Sequence, residues 1–325
     1  MKNTKTVLIP DFMKEAGVRI LRERDGIELV EYKMGIAAPE FHRLLPDASA
    51  VALAATGFGR AETEQSPKME VVARIGVGFD AVDIPSLSER RIPLMVVGTA
   101  NSVSVAEHAV FMMMSLAKRA LEMDRRMRDG VWHDRQNNLP AEMSGATVLV
   151  IGFGRIGTRT APRCAAFGMN VLVYDPYLAP EVIRQAGYEP VADLDAALPR
   201  ADYVSIHCPR NPETVGMFDA ARLARMKPGA ILVNTARGGI IDEPALLAAL
   251  RSGHIAGAGL DVVATEPAGP GNELLQSPNV ISSPHVAGVT VQSMDAMSVA
   301  TARNILSVLD GTPIRENVVN AEVLG

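Results

Sequence analysis

Short apolar runs alternate with helix-length segments along this chain. Near its start, Thr6–Ile9, Ile27–Glu31, Ala50–Ala54 and Val71–Ile75 read as strands, and helices such as Pro10–Arg24 fill the gaps. Such alternation predicts parallel sheets, because a parallel pair needs a crossover and a helix supplies it. From Asn101 a long helical pattern runs to about Asp129. Ser104 and Glu107 are spaced as a capping box there, and Gly130 is a natural stop. Met112, Met113, Met114 and Met123 on this helix suit either a core or a pliable subunit interface. A second series follows: Thr147–Ile151, Asn170–Tyr174, Tyr203–His207, Ile231–Thr235, Gly257–Asp261 and Val280–Ser282. These strands match what a dinucleotide-binding sheet needs. Met294–Leu309 reads as one more helix. The predicted class is α/β, with two Rossmann-like doubly wound parallel-sheet domains.

Composition narrows the picture. A chain of 325 residues is long for one core, so two domains are expected. Hydrophobic residues make up 48% and charged residues 21%, which is ordinary for a soluble protein. The net charge of −5 disfavours nucleic acid or an anionic membrane as main partner. Arg125, Arg126 and Arg128 cluster, but Glu122, Asp124 and Asp129 interleave them, which suits a solvated helix face. The two cysteines, Cys164 and Cys208, make neither a disulfide framework nor a zinc spacing. No metal is expected, and a cytoplasmic location is. The start runs straight into a strand without the features of a signal peptide. The most apolar stretch, Val103 to Ala117, contains Glu107 and His108.

Two stretches carry chemistry. VLVIGFGRIG, residues 148–157, is a strand followed by Gly152, Gly154 and Gly157. The first glycine allows the tight turn, the second lets backbone approach a pyrophosphate, and the third lets the next helix pack on the strand. The following strand ends in Asp175, whose carboxylate suits the ribose hydroxyls of NAD and repels the 2′-phosphate of NADP. The other stretch, ILVNTARGGIID, puts Arg237 at the end of a buried strand beside Gly238 and Gly239. A guanidinium there can grip a carboxylate with two parallel hydrogen bonds. The glycines would let substrate or cofactor come close to the chain. The bland alternative pairs Arg237 with a structural carboxylate such as Asp242. Glu266 and His285 follow the next two strands. Glu266 on one ring nitrogen would fix the His285 tautomer, leaving the other for a hydroxyl proton. The inferred chemistry is oxidation of an alcohol beside a carboxylate, or its reverse.

RIGVGFDAVD, SVAEHAV, VLVIGFGRIG, MKPGAILVNTARGGIID, LDVVATEP and SPHVAG together resemble the NAD-dependent D-isomer-specific 2-hydroxyacid dehydrogenases, in the phosphoglycerate dehydrogenase-like subgroup. The resemblance covers nearly the whole chain. It implies a discontinuous substrate domain, residues 1–99 plus 291–325, around an NAD-binding domain, residues 100–290, with a cleft between them. It implies that Arg237, Glu266 and His285 are catalytic. Ile75, Gly76, Val77 and Gly78 would hold the substrate carboxylate by their backbone. Gly154, Arg155 and Ile156 would meet the pyrophosphate. His207, Cys208, Pro209, Thr214, Ala236, Asp261 and Gly288 would line the rest of the NAD site. It also implies a homodimer packed through the helix after SVAEHAV, which favours the interface reading of the methionines.

Departures bear on the substrate. The loop AATGFGRAE offers only Arg60 as a basic group, where the phosphoglycerate enzymes have Arg-Ser and Lys. The regulatory domain of many serine-pathway enzymes is not expected here, since the sequence reads to Gly325. Glu273 replaces a common Pro, and Gln292 stands where an acid is frequent. The expected substrate is a D-2-hydroxy or 2-keto acid, either 3-phosphoglycerate-like or smaller, such as glyoxylate or hydroxypyruvate. If Arg60 reads a second anion, it belongs to the substrate site. Formate dehydrogenases of the superfamily carry Gln at the position of Glu266, which argues against that chemistry. An NAD-sensing binding protein of the same fold, and a Rossmann protein of other chemistry, are the competing readings.

Overall fold

The strands follow in chain order: β1 (Lys5–Pro10), β2 (Ile27–Tyr32), β3 (Ala48–Leu53), β4 (Val71–Arg74), β5 (Leu94–Met95), β6 (Thr147–Ile151), β7 (Asn170–Tyr174), β8 (Glu189–Pro190), β9 (Tyr203–Ile206), β10 (Ala230–Asn234), β11 (Ile255–Leu260) and β12 (Val280–Ser282). The helices are α1 (Glu15–Arg22), α2 (Ala38–Leu44), α3 (Arg60–Gln65), α4 (Ile84–Glu89), α5 (Ser102–Ala117), α6 (Ala120–Arg128), α7 (Gly157–Ala166), α8 (Pro180–Gln185), α9 (Leu194–Ala197), α10 (Ala220–Arg225), α11 (Glu243–Arg251) and α12 (Val291–Leu309). The structure, a computed structural model, describes residues 4–54, 56–133, 136–137 and 139–325. Ala55 of the loop after β3 thus lies outside the described residues. The chain divides into two compact units, Met1–Asn101 with Val289–Gly325, and Ser102–Gly288.

The first unit holds a five-stranded parallel sheet in the order β2-β1-β3-β4-β5. Its central strand β3, ASAVAL, is buried at every position, as a strand covered on both faces must be. Val7, Ile9, Val18, Leu21, Met297 and Ile305 fill one side, with α1 and α12. Leu8, Phe41, Val51, Leu53 and Leu87 fill the other. The predicted helix 10–24 is shorter, because residues 10–14 still belong to β1 and its turn. The tail helix instead begins earlier, at Val291, where Thr290 caps it through Ser293 N at 3.1 Å.

The second unit holds a seven-stranded parallel sheet in the order β12-β11-β10-β9-β6-β7-β8. Relative to β6 as first strand this is the doubly wound dinucleotide order, with a switch point between β6 and β9. The short edge strand β8 is additional to the predicted six. Both sheets bear out the α/β expectation.

The long helix expected from 101 to 129 is two helices. Arg119, at φ 51°, breaks the run between α5 and α6. Ser104 lies inside α5 rather than at its cap, so no capping box starts there. Gly130, at φ 70°, does end α6. Met112 and Met113 are fully buried against Val148, Val150 and Val233. Met112 and Met113 are core, which corrects the interface reading for these two, while Met114 and Met123 are half-buried.

Candidate active site

The phosphate loop is built as its glycines require. Gly152 has φ 90°, and a Cβ there would lie 2.9 Å from Cys208 N, so the loop packs directly on residues 207–208. A Cβ on Gly157 would lie 2.0 Å from the Gly152 carbonyl oxygen, so α7 starts where only glycine fits. Around Gly154 the space is open to 4 Å. That opening, beside the N-terminus of α7, is the concavity a pyrophosphate needs. Phe153 N donates to Asp175 Oδ2 at 2.8 Å, and Tyr177 N donates to Oδ1 at 3.0 Å. Asp175 is therefore fixed at the end of β7 beside the loop. Arg155 is exposed and Ile156 half-buried at the start of α7.

Residues 207–214 line the neighbouring strand end. Burial pushes the His207 imidazole down to about 3, and its Nε2 meets Ser205 Oγ at 2.9 Å. The ring is neutral at neutral pH. Burial pushes the Cys208 thiol up to about 11 and the Cys164 thiol to about 12, so neither is a ready nucleophile. Thr214 Oγ1 donates to Pro209 O at 2.7 Å, which folds the 209–214 loop back on itself.

Arg237, Glu266 and His285 follow β10, β11 and β12, three adjacent strands. Glu266 Oε2 lies 2.8 Å from His285 Nδ1. A carboxylate there accepts from Nδ1–H, so Nε2 of the neutral ring is an acceptor. Val263 N also donates to Glu266 Oε1, at 3.2 Å. His285 itself has φ 54°, a left-handed conformation unusual for a residue with a Cβ.

The turn carrying Arg237 is held by Asn234, which the sequence reading missed. Its Nδ2 donates to Arg237 O at 2.8 Å, and its Oδ1 accepts from Ala236 N at 3.0 Å. A buried Asn ending an apolar strand was the available signal. Ala236 is buried, and Arg237 Nη1 donates to its carbonyl at 2.7 Å. Asp242 caps α11 through Ala245 N at 2.9 Å. Gly238 has a different purpose from the one expected. A Cβ there would lie 1.8 Å from Val263 O, so the chain's own backbone needs the space. That close approach sets the Arg237 turn against the loop bearing Glu266.

Asp261, expected to line the NAD site, has a carboxylate turned into the protein, 2% exposed. It accepts from Ser283 Oγ at 2.6 Å, Val286 N at 2.8 Å and Ala287 N at 2.9 Å. Gly288 ends this loop and the second unit.

In the first unit, Ile75 N donates to Leu53 O at 2.7 Å, Gly76 O accepts from Val97 N at 3.2 Å, and Arg74 Nε donates to Gly78 O at 2.8 Å. The 75–78 loop, Val77 included, is thereby pinned at the carboxyl end of β4. Arg60 is exposed at the start of α3, and both Nη atoms meet Glu89 oxygens at 2.9 Å. A cavity of about 450 Å³ opens at the carboxyl ends of β2, β3 and β4, lined by Met34, Ile36, Phe41, Thr56, Phe58 and Glu62 among others. Burial pushes Glu62 up, but hydrogen bonds from His42 and the Gly59 amide outweigh it and hold the carboxyl below its ordinary value.

Among the described residues no helix is long and apolar enough to cross a membrane, and no group of three His, Cys, Asp or Glu side chains is placed to hold a metal ion. A doubly wound sheet, an open glycine turn at a helix N-terminus and a fixed aspartate after the next strand define a dinucleotide-binding α/β protein.

Residues 110–287 match the NAD binding domain of D-isomer specific 2-hydroxyacid dehydrogenases. The chain belongs to that family. It is 37% identical to D-3-phosphoglycerate dehydrogenase of Archaeoglobus fulgidus, over 97% of this chain and 59% of that relative. The chain thus spans less than two thirds of the length of that relative. Among solved structures, the TT0316 protein of Thermus thermophilus superposes with a TM-score of 0.87 at 32% identity, covering 97% of this chain and 99% of that one. A glyoxylate reductase from Paecilomyes thermophila does so with a TM-score of 0.87 at 27% identity, covering 99% and 100%.

Proposed function

We propose that the protein is an NAD-dependent D-2-hydroxyacid dehydrogenase. The observation that carries this is the 2.8 Å Glu266–His285 bond at adjacent strand ends of an NAD-binding domain, with Arg237 on the next strand. In the reducing direction, Arg237 grips the carboxylate of a 2-keto acid and polarises the C2 carbonyl. His285 carries its proton on Nε2 and gives it to the C2 oxygen as hydride reaches C2; Glu266 stabilises the imidazolium beforehand. Oxidation of the D-2-hydroxy acid runs the same steps backwards. NAD supplies or takes the hydride. Gly154, Arg155 and Ile156 would hold its pyrophosphate and Asp175 its adenosine ribose, with the aspartate charge disfavouring NADP. His207, Cys208, Pro209, Thr214, Ala236 and Gly288 shape the surrounding crevice, and Asp261 serves it by holding the 283–287 loop.

The backbone of Ile75, Gly76, Val77 and Gly78 completes the carboxylate site. The relatives' name raises 3-phosphoglycerate as substrate, with Arg60 reading the phosphate. For that, the phosphate must displace Glu89 from the Arg60 guanidinium. The smaller acids glyoxylate and hydroxypyruvate need no such displacement. Residues 1–99 with 291–325 form the substrate domain and 100–290 the NAD domain of this reading. Phe111, Leu121 and Trp132 on and after α5 and α6 are more than half exposed, which supports a homodimer through that surface. The cytoplasm, where NAD and 2-keto acids occur, is the proposed location.

Nicotinamide absorbance tests the reading. Protein mixed with NADH or NADPH and a panel of 2-keto acids should turn over at least one acid with NADH and do so far less well with NADPH. NADH binding without turnover on any acid, together with a stoichiometric protein partner in a pulldown, would instead indicate an NAD-sensing protein.

A further inference from the structure

His285 stands on a short loop, and a second histidine reaches that loop from a distant part of the chain. His108 Nε2 lies 2.9 Å from Ser283 Oγ, and Ser283 Oγ donates to Asp261 Oδ1 at 2.6 Å. Because the serine proton is committed to the carboxylate, the His108 contact runs the other way: Nε2–H donates to Ser283 Oγ. Asp261 grips the backbone on the far side of His285 through Val286 N and Ala287 N, and its main-chain carbonyl accepts from His285 N at 2.8 Å. These bonds bracket His285, which holds a left-handed φ of 54° with a full side chain. Such a conformation costs free energy and persists only where its surroundings over-determine it.

The placement of His108 follows from the fold. A Cβ on Gly257 would lie 3.0 Å from Leu116 Cδ2, and one on Gly259 would lie 2.8 Å from Met112 Cβ. Alternate residues of β11 therefore meet residues one helical turn apart on α5. Two strand residues advance about 6.6 Å and four helix residues about 6 Å, so the register is kept. The next step of both series is Asp261 against His108, and there Nε2 is 3.9 Å from Oδ1. Small residues at 257 and 259 let the helix settle low on the sheet. Its polar side chain then arrives where a buried carboxylate needs support.

We propose that His108 is a positioning residue for His285, acting through Ser283 and Asp261. It fixes the Asp261 carboxylate, the carboxylate fixes the 283–287 backbone, and that backbone aims the His285 ring at the reacting oxygen. This rests on the proposed acid–base role of His285. Loss of an outer partner of a catalytic group is typically felt as about a 10- to 100-fold change.

The test compares wild type, His108→Ala, His108→Gln and His285→Ala on a 2-keto acid the wild type reduces. The readouts are kcat, the dissociation constant for NADH, and the isotope effect on kcat with [4-²H]NADH. For His108→Ala the proposal expects kcat to fall about tenfold or more. NADH affinity should change less than about twofold, and the isotope effect should sit at its intrinsic value as the chemical step becomes slower. His108→Gln places an amide N–H near the lost donor and should recover much of kcat. A fall in kcat matched by an equal fall in the fraction of protein that binds NADH means only a smaller active fraction and overturns the proposal. So does wild-type kcat in His108→Ala, or equal loss in both His108 variants. Full turnover in His285→Ala sinks the acid–base reading itself, whereas collapse there with an unaffected His108→Ala removes only the role of His108.

Discussion

The two sheets present opposite chemistry at their carboxyl ends. In the second unit, strands β7, β10, β11 and β12 are followed by Asp175, Arg237, Glu266 and His285, each fixed by hydrogen bonds or close backbone packing. In the first, the ends of β2, β3 and β4 border a cavity whose charged lining residue is Glu62, already bonded to His42 at 2.6 Å, while Arg60 is tied to Glu89. Both edges lie beyond strand carboxyl ends, where parallel sheets commonly take ligands. One edge carries a bonded acid–histidine pair beside the glycine turn of an NAD-binding domain. The other offers shape and backbone. On the proposed function, reaction type would belong to the second unit and substrate choice to the first.

Substitutions on each edge sharpen that contrast. His285→Ala should give the largest effect, a fall in kcat of about 10²- to 10⁴-fold with NADH binding intact, since a positioned acid–base group contributes that much. Titration of NADH fluorescence alongside steady-state rates separates the two. Weaker is Asp175→Ala, which removes charge-assisted bonds to the ribose. NADH affinity should drop about tenfold and the preference over NADPH should shrink, as competing dissociation constants would show. An unchanged preference would take the ribose role from Asp175.

His207 predicts a stability effect from the same edge. Its folded pKa, about 3, lies below the unfolded value near 6.5. Between those values the unfolded chain binds a proton that the folded one refuses, so stability falls as pH drops. The slope is about 1.4 kcal/mol per pH unit. Denaturant midpoints for His207→Gln should decline less steeply from pH 6 to pH 4 than those of wild type. Parallel declines would mean the ring is not held neutral.

Arg60→Ala on the first edge should have the smallest effect. KM for a phosphorylated keto acid should rise several-fold while glyoxylate is unaffected. Equal change on both would deny Arg60 any role in reading a second anion.

The features legible in sequence are local ones. The spacing of Gly152, Gly154 and Gly157 between a strand and a helix states its own geometry. So do the strand ends carrying Asp175 and Arg237. Features made by packing were not legible. Nothing around Arg119 marks a left-handed break, because the residue is not one that favours it. Met112 and Met113 look alike as core or interface until β11 is seen to lie beneath α5. Gly238 was read as a close approach correctly, but its neighbour is Val263 rather than a ligand. No local motif marks His108, because its partners, Ser283 and Asp261, lie more than a hundred residues away.

The most direct measurement follows the hydride. Protein, [4-²H]NADH and a panel including glyoxylate, hydroxypyruvate and phosphohydroxypyruvate are incubated, and products are read by NMR and chiral separation. The account predicts deuterium at C2 of a 2-hydroxy acid, with the D configuration wherever C2 of the unlabelled product is a stereocentre, and loss of that product in His285→Ala. Deuterium transfer that survives undiminished in His285→Ala would contradict it.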